Sequence, residues 1–372
     1  MIVGVPTEIK NEEYRVACTP VGVRELTTRG HVVLVQSGAG VGSSITDADY
    51  IAAGAEMAAD ATEVFARAEL VLKVKEPQAS EIAMLRPEAT LFTYLHLAAY
   101  PAEAKGLVES GATCIAYETV EMADGSLPLL APMSEIAGRM AAQAGSYHLE
   151  KPRGGRGVLM GGVPGVAPAA VTVIGGGSAG ANAAVVASGM GADVTILDIN
   201  VARLRHIDEL HHGRIKTIRS SIASIDELVA QSDLVIGAVL VAGARAPIVI
   251  SEDNIKSMKP GSVVVDISID QGGCMETSHE TSHANPTYIV HSVVHYAVGN
   301  IPGAVPNTAT YALTNVTMPY AVALAEGFSS AAARFPELVP GVNVAAGKVT
   351  NQAVAAALET DYTDPAKVLN LP

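Results

Sequence analysis

Cysteine is scarce in this chain. Cys18, Cys114 and Cys274 are the only three among 372 residues. They are odd in number, far apart and in no metal-ligand spacing, which argues against a disulfide framework and for a reducing compartment. Positive charge is scarce as well. Against 38 acidic residues stand 24 lysines and arginines, a formal net charge of −14. Nucleic acid and anionic membrane surfaces are therefore not expected partners, and an anionic substrate would need locally placed cations. With 17% charged and 49% hydrophobic residues the chain is not a disordered one. No repeat or low-complexity linker interrupts it. Its first residues, Met1 to Pro6, lack the basic region and long apolar run of a signal peptide, so a cytoplasmic protein is expected. Residues 157–192 carry no charge at all, and roughly twenty such residues suffice to cross a bilayer. Pro164, Pro168 and the dense glycines divide this span into loop, strand, turn and helix, so a buried βα unit accounts for it better than a membrane helix.

Glycine, in contrast, is plentiful, and one group of glycines is ordered. The apolar, β-branched run Val171-Thr172-Val173-Ile174 reads as a buried parallel strand. It leads into Gly175-Gly176-Gly177-Ser178-Ala179-Gly180, a G-x-G-x-x-G turn, then an Ala-rich helical stretch, then a strand from Val194 to Leu197 ending on Asp198. Gly175 would make the tight turn, Gly177 would let a pyrophosphate approach the backbone, and Gly180 would let the helix pack on the strand. The free N–H groups at the helix start suit phosphate, and Asp198 suits the adenosine ribose hydroxyls. Asp198 would repel a 2′-phosphate, so the expected cofactor is NAD rather than NADP.

The length implies two domains. Before the glycine turn, strands are expected at Ile2–Val5, Val32–Val35, Leu70–Val74, Leu91–Tyr94 and Cys114–Ala116. A helix is expected from Thr19-Pro20 to Arg29-Gly30, with Thr19 as cap and Pro20 at the first helical position. Pro128 and Pro132 mark a boundary, followed by a connecting helix over Ser134–Leu149. Three more strands, Ile215–Ile218, Leu234–Val239 and Val263–Ile267, continue the nucleotide domain. A largely helical stretch from Thr308 to Ala333 follows, with Pro319 as its kink or break, and the tail returns to the first domain. The expected class is α/β: two Rossmann-like, doubly wound domains, with an NAD-binding domain (129–306) inserted between the halves of a substrate domain (1–128 plus 307–372).

Polar residues cluster at strand ends, where open α/β sheets place ligands. Arg15 follows a polar run. Lys73-Val74-Lys75-Glu76-Pro77 closes a strand, with both lysines on one face. His96 lies just past an apolar strand, and Asp270 precedes a Gly-Gly turn. Singly, each has an ordinary structural reading: a surface charge, a solvated strand end, a core histidine, a turn-forming acid. Together with the glycine turn they indicate an NAD-linked oxidoreductase with an anion-binding pocket, and leave its substrate open.

Over nearly its full length the sequence closely resembles the L-alanine dehydrogenases, in the family that includes the nucleotide-binding subunit of proton-translocating transhydrogenase. The resemblance rests on Gly4 to Asn11 with Arg15, Lys73 to Pro77, Thr93 to Leu97, Ala116 to Thr119, Leu129 to Ser134, Gly154 to Gly165, Ile269 to Cys274, Asn300 to Val305 and Tyr311 to Asn315. It implies reversible oxidation of L-alanine by NAD to pyruvate and ammonium. Arg15 would clamp the carboxylate bidentately and Lys75 would bind the carbonyl oxygen. His96 would be the general acid/base, and Asp270 would orient the reacting nitrogen or water. Tyr94 and Met133 would limit the pocket to a methyl-sized side chain. NAD would meet Ser134, the turn through Gly175, Gly177, Ser178, Ala179 and Gly180, then Asp198, Arg203 and Ser220. Val239, Leu240, Ile267, Ser268, Ile269, Asp270, Val298, Gly299, Asn300 and Ile301 would lie along the rest of it. Closure of the two domains would complete the site.

The sequence departs from its relatives at His279, where many carry an arginine, and at Gly299, where alanine is usual. Ala323 and Gly327 stand where a few relatives have metal ligands, so no metal is expected. The resemblance also implies a homohexamer. Two other readings keep the same fold. A hydride-passing binding subunit would not need Lys75, His96 and Asp270 together, and an opine-type dehydrogenase would need a larger pocket.

Overall fold

The structure, a computed structural model, describes residues 1–241 and 245–371. They form two compact units, residues 1–133 with 303–371, and residues 134–241 with 245–302. Each unit is built on its own sheet.

In the first unit β1 (Ile2–Val5), β2 (Val32–Gln36), β3 (Glu56–Ala58), β4 (Leu70–Leu72), β5 (Thr90–Thr93) and β6 (Thr113–Ala116) are parallel, in the order β3-β2-β1-β4-β5-β6. Val, Leu and Ile dominate because helices cover both faces of such a sheet. β1 lies between β2 and β4, so strand order reverses there and opens the crevice in which such sheets bind ligands. The helix Pro20–Thr28 starts as expected, with Pro20 at its first position, but the Thr19 side chain makes no capping bond. β4 ends at Leu72, before either lysine, so strand alternation does not put Lys73 and Lys75 on one face.

The second unit repeats the plan. β7 (Ala170–Ile174), β8 (Asp193–Asp198), β9 (Lys216–Arg219), β10 (Leu234–Gly237), β11 (Val263–Asp266), β12 (Thr287–Val290) and β13 (Val293–Tyr296) form a sheet ordered β9-β8-β7-β10-β11-β13-β12. Only β12 is antiparallel to its neighbour. The β12–β13 hairpin was not expected from sequence: it turns on His291 and Ser292, at φ +49° and +64°, without the Asn-Gly pair that usually signals such a turn. The connecting helix runs Ala131–His148, starting three residues before Ser134, because Pro132 fits within a first turn whose N–H groups need no intrahelical partner. The uncharged span 157–192 resolves into a Val163–Val166 bridge, β7 and the helix Ser178–Gly189. Among the described residues no helix is long and apolar enough to cross a membrane.

The last part of the chain returns to the first unit, where β14 (Val342–Ala345) pairs antiparallel with β6 and then with β15 (Lys348–Val349). The long helix before it excludes one of the two alternatives expected at Pro319, the break. Pro319 lies inside a continuous helix, Pro306–Ala325. The break comes at Gly327, whose φ of +121° no helix accommodates, and Phe328–Arg334 follows. The three cysteines are free and buried, and burial pushes the Cys18 and Cys114 thiols up to about 12.

Candidate active site

The first unit gathers buried polar groups at the carboxyl ends of β1, β4, β5 and β6. Arg15 is 2% exposed, in the loop after β1. Its Nε and Nη2 donate to the two carboxylate oxygens of Glu13 at 2.7 and 2.5 Å, and its Nη1 points at Met133 Sδ, 3.0 Å away. Burial disfavours the guanidinium charge, but the facing Glu13 carboxylate and its hydrogen bonds outweigh it and hold the pKa above the ordinary value. One fork edge is thus taken by a protein carboxylate, so a substrate clamped bidentately would have to use the Nη1–Nη2 edge.

Tyr94 and His96 follow β5. Their rings stack at 5.8 Å, 8° from parallel, and the Tyr94 hydroxyl donates to the Leu129 carbonyl at 2.6 Å. His96 has a φ of +49°, uncommon for a residue with a Cβ and found where surroundings impose it. Here the imposing group is the Glu118 carboxylate just past β6: it accepts the His96 N–H at 2.6 Å and the Leu95 N–H at 3.2 Å. Lys75 is buried too, its Nζ 3.9 Å from Glu76 Oε2. Glu76 also pairs with Lys10. Burial raises the Glu76 pKa, but Lys75, Lys10 and His96 together outweigh it, so the carboxyl sits below its usual range. The result is a water-poor pocket edge carrying a guanidinium, an ammonium and an imidazole. Such a set suits a small carboxylate with an adjacent carbonyl and a proton to be moved.

The second unit carries the glycine turn between β7 and the helix Ser178–Gly189. Gly175 has φ +104°, and a Cβ on it would fall 2.3 Å from the Ala238 carbonyl oxygen; one on Gly180 would fall 1.8 Å from that of Gly175. Gly177 differs: a Cβ there meets no protein atom within 4 Å. The bare backbone therefore faces open space at the start of a helix, the cradle a pyrophosphate requires, and the residues present fit a dinucleotide. Asp198 ends β8. Its Oδ2 accepts from Gly176 N at 2.6 Å and its Oδ1 from Asn200 N at 2.7 Å. Arg203 is not a plain surface arginine, because its Nε donates to the Gly176 carbonyl. Ser220 N donates to the Asp198 carbonyl.

At the strand ends next to the glycine turn, Ser268 Oγ accepts from Val239 N at 3.1 Å and lies 2.7 Å from the Val239 carbonyl, tying the ends of β10 and β11 together. Leu240 is exposed, Ser134 and Ile267 are half-buried, and Ile269 is buried. Asp270 Oδ1 accepts from Asn300 N at 3.0 Å, with Asn300 at φ +61°. Val298 and Ile301 turn their side chains to the core. They are 0% and 2% exposed and belong to the hydrophobic core under the sheet, because the apolar β13 continues into them. At Gly299 an added methyl would fall 2.1 Å from Glu280 Oε1, and the His279 ring stacks on Tyr288 at 3.6 Å.

Sequence reasoning passed over Glu13, Glu118 and Glu8, a buried acid near Lys73. Each sits in a stretch already singled out, and a buried acid beside a cation or a strand end was the available signal.

Two family models match the sequence. "Alanine dehydrogenase/PNT, N-terminal domain" covers residues 4–137 and "Alanine dehydrogenase/PNT, C-terminal domain" covers residues 141–352. The chain is 57% identical over 370 residues to a protein of Halomonas elongata named alanine dehydrogenase, covering 99% of this chain and 100% of that one. It is 54% identical over 371 residues to the alanine dehydrogenase of Bacillus subtilis, covering 99% and 98%. A solved structure titled L-alanine dehydrogenase superposes with a TM-score of 0.90 at 49% identity, over 96% of this chain and 99% of that one. A transhydrogenase from Sinorhizobium meliloti superposes with a TM-score of 0.78 at 26% identity, over 95% and 100%.

Proposed function

The chain belongs to the alanine dehydrogenase/PNT family, and from that membership we infer its reaction: it is an alanine dehydrogenase, oxidising L-alanine to pyruvate and ammonium, reversibly, with NAD as cofactor. The observation that carries this reading furthest is the grouping of the buried Arg15 and Lys75 with the half-buried His96 at the strand ends of one sheet.

On this reading the Nη1 side of Arg15 meets the substrate carboxylate, its opposite edge being braced by Glu13. Lys75 donates to the carbonyl oxygen and steadies the negative charge that gathers there. His96 removes a proton from the water that adds to the imine carbon, and returns one as ammonia departs. Asp270 orients that water or amine. Tyr94 and Met133 leave room for a methyl group. When bound, NAD would supply the acceptor for the hydride of the substrate Cα. Gly175, Gly177, Ser178, Ala179 and Gly180 would hold its pyrophosphate, and Asp198, with Arg203 and Ser220, its adenosine ribose. Ser134, Val239, Leu240, Ile267, Ser268, Ile269, Val298, Gly299, Asn300 and Ile301 would lie along the remainder, with the side chains of Val298 and Ile301 turned to the core. Asp198 disfavours a 2′-phosphate, hence NAD over NADP. The substrate domain is taken as 1–128 plus 307–372 and the cofactor domain as 129–306, in a cytoplasmic homohexamer.

Initial-rate NADH formation from L-alanine and NAD⁺ tests the reading, run beside NADP⁺, L-serine and a His96→Ala variant. Alanine-dependent turnover with NAD⁺ that collapses in the variant is expected. NAD⁺ binding without alanine turnover would overturn the reading in favour of a hydride-passing subunit.

A further inference from the structure

Lys75 lies beyond the end of β4, where no strand ladder holds the chain, yet the segment is buried and its backbone is tied down. Lys73 N donates to the Phe92 carbonyl at 3.1 Å and Tyr94 N to the Val74 carbonyl at 3.2 Å. Thr93 Oγ1 donates to the Lys75 carbonyl at 2.9 Å. The next two N–H groups share one partner. Glu8 Oε1 accepts from Val74 N at 2.6 Å, and Glu8 Oε2 accepts from Lys75 N at 3.4 Å.

Glu8 is itself anchored. Its Oε2 takes a 2.9 Å bond from the ammonium of Lys73, which is 0% exposed and also donates to Glu81 Oε1 at 2.8 Å. The other oxygen of Glu81 accepts from Gln78 N at 2.8 Å, just after Pro77 turns the chain away. One buried acid–lysine–acid chain thus spans the crevice between β1 and β4 and grips the Lys75 segment from 74 to 78. Burying three charged groups is a poor way to gain stability, since apolar side chains of similar volume often serve as well. What such a chain supplies is direction.

We propose that Glu8, anchored through Lys73 to Glu81, is a positioning residue for the reaction, setting where the Lys75 ammonium meets the substrate's carbonyl oxygen. The inference rests on the role given to Lys75 above. It assigns the two lysines of the motif different work: Lys73 belongs to the brace, and Lys75 to the substrate.

The test uses the full-length enzyme in reductive amination, with pyruvate, ammonium and NADH. Glu8→Gln, Lys75→Ala and the double variant are compared for kcat, for KM of pyruvate and of NADH, and for Tm. Glu8→Gln should lower kcat/KM for pyruvate on the order of tenfold to a hundredfold, the scale of a misplaced catalytic contact. The KM for NADH should stay put. In the Lys75→Ala background Glu8→Gln should add almost nothing, because both changes act through one ammonium. A lower Tm with unchanged kcat/KM would reduce Glu8 to a scaffold residue and overturn the proposal, as would losses that multiply in the double variant. If Glu8→Gln does not fold, Glu81→Gln decides, since it loosens the anchor and leaves the Glu8 bonds in place. A fall in kcat/KM for pyruvate alone supports the proposal, and none overturns it. Failure of the wild-type enzyme to turn over pyruvate would instead strike the proposed function, so the two failures are distinguishable.

Discussion

Glu118 Oε1 accepts a 2.6 Å hydrogen bond from the His96 N–H while standing 4.0 Å from Nδ1 of the same residue. One carboxylate thus fixes the backbone of the proposed acid/base and faces its ring. Glu118→Gln keeps an oxygen for the backbone bond and removes the charge beside the imidazole. We expect kcat to fall roughly tenfold or more, the scale on which general acid–base catalysis is felt, with the KM for NAD⁺ unchanged. Glu118→Ala should be worse, because nothing then holds His96 at its φ of +49°. Equal kcat in wild type and Glu118→Gln would confine Glu118 to the backbone.

The glycine turn separates stability from binding. In Gly180→Ala the new methyl falls 1.8 Å from the Gly175 carbonyl oxygen, so the helix must shift. Overpacking of this kind costs about 1–3 kcal/mol, visible as a lower Tm with or without cofactor. In Gly177→Ala the methyl meets no protein atom within 4 Å, and φ is an ordinary −64°. Its Tm without cofactor should match wild type while its NAD⁺ affinity falls, read by titration of NADH fluorescence. Wild-type affinity in Gly177→Ala would mean that the pyrophosphate lies elsewhere.

That turn was legible in the sequence because strand, glycines, helix and terminal acid lie within one local stretch. Both sheets were largely legible for the same reason, since fully buried parallel strands are apolar runs. What escaped depended on partners far away in sequence. Glu8 meets Val74 and Glu118 meets His96 only once β1, β4, β5 and β6 are side by side. The β12–β13 and β14–β15 hairpins escaped because His291-Ser292 and Ala346-Gly347 adopt positive φ without an Asn-Gly signature. The motif that contains Val298 and Ile301 did not show that their side chains face the core.

Arg15 joins binding to stability. Its Glu13 partner is buried with it, so removing the guanidinium leaves that carboxylate without two of its bonds. Breaking a buried pair from one side costs about 3–5 kcal/mol. Arg15→Met should therefore lower Tm as well as abolish saturation by pyruvate. Changing Glu13→Leu as well should restore much of the Tm without restoring activity. Recovery of activity in the double variant would show that Arg15 does not meet the substrate.

His295 ties stability to pH. Buried at 1% exposure within β13, it sits 3.0 Å from the Val293 carbonyl through Nδ1 and 2.8 Å from the Thr277 hydroxyl through Nε2, with Tyr288 stacked at 5.0 Å. Burial first, and then the nearby His279 and His291, hold its pKa below the ordinary 6.5; the bond at the Val293 carbonyl opposes them only in part. Above that pH the imidazole is neutral both folded and unfolded, and it contributes no pH dependence. As pH falls through 6.5 the unfolded chain takes up a proton that the folded chain resists, so stability declines until the lower folded value is passed. Glu8 works in the opposite sense, since burial raises its pKa from 4.5 and its protonation favours the folded form. In thermal melts from pH 7.5 down to about 5 the His295 contribution should therefore lower Tm. The fall should be shallower in His295→Gln, which keeps a side chain of similar reach that cannot take the charge. Parallel curves for the two proteins would place the acid sensitivity in other groups.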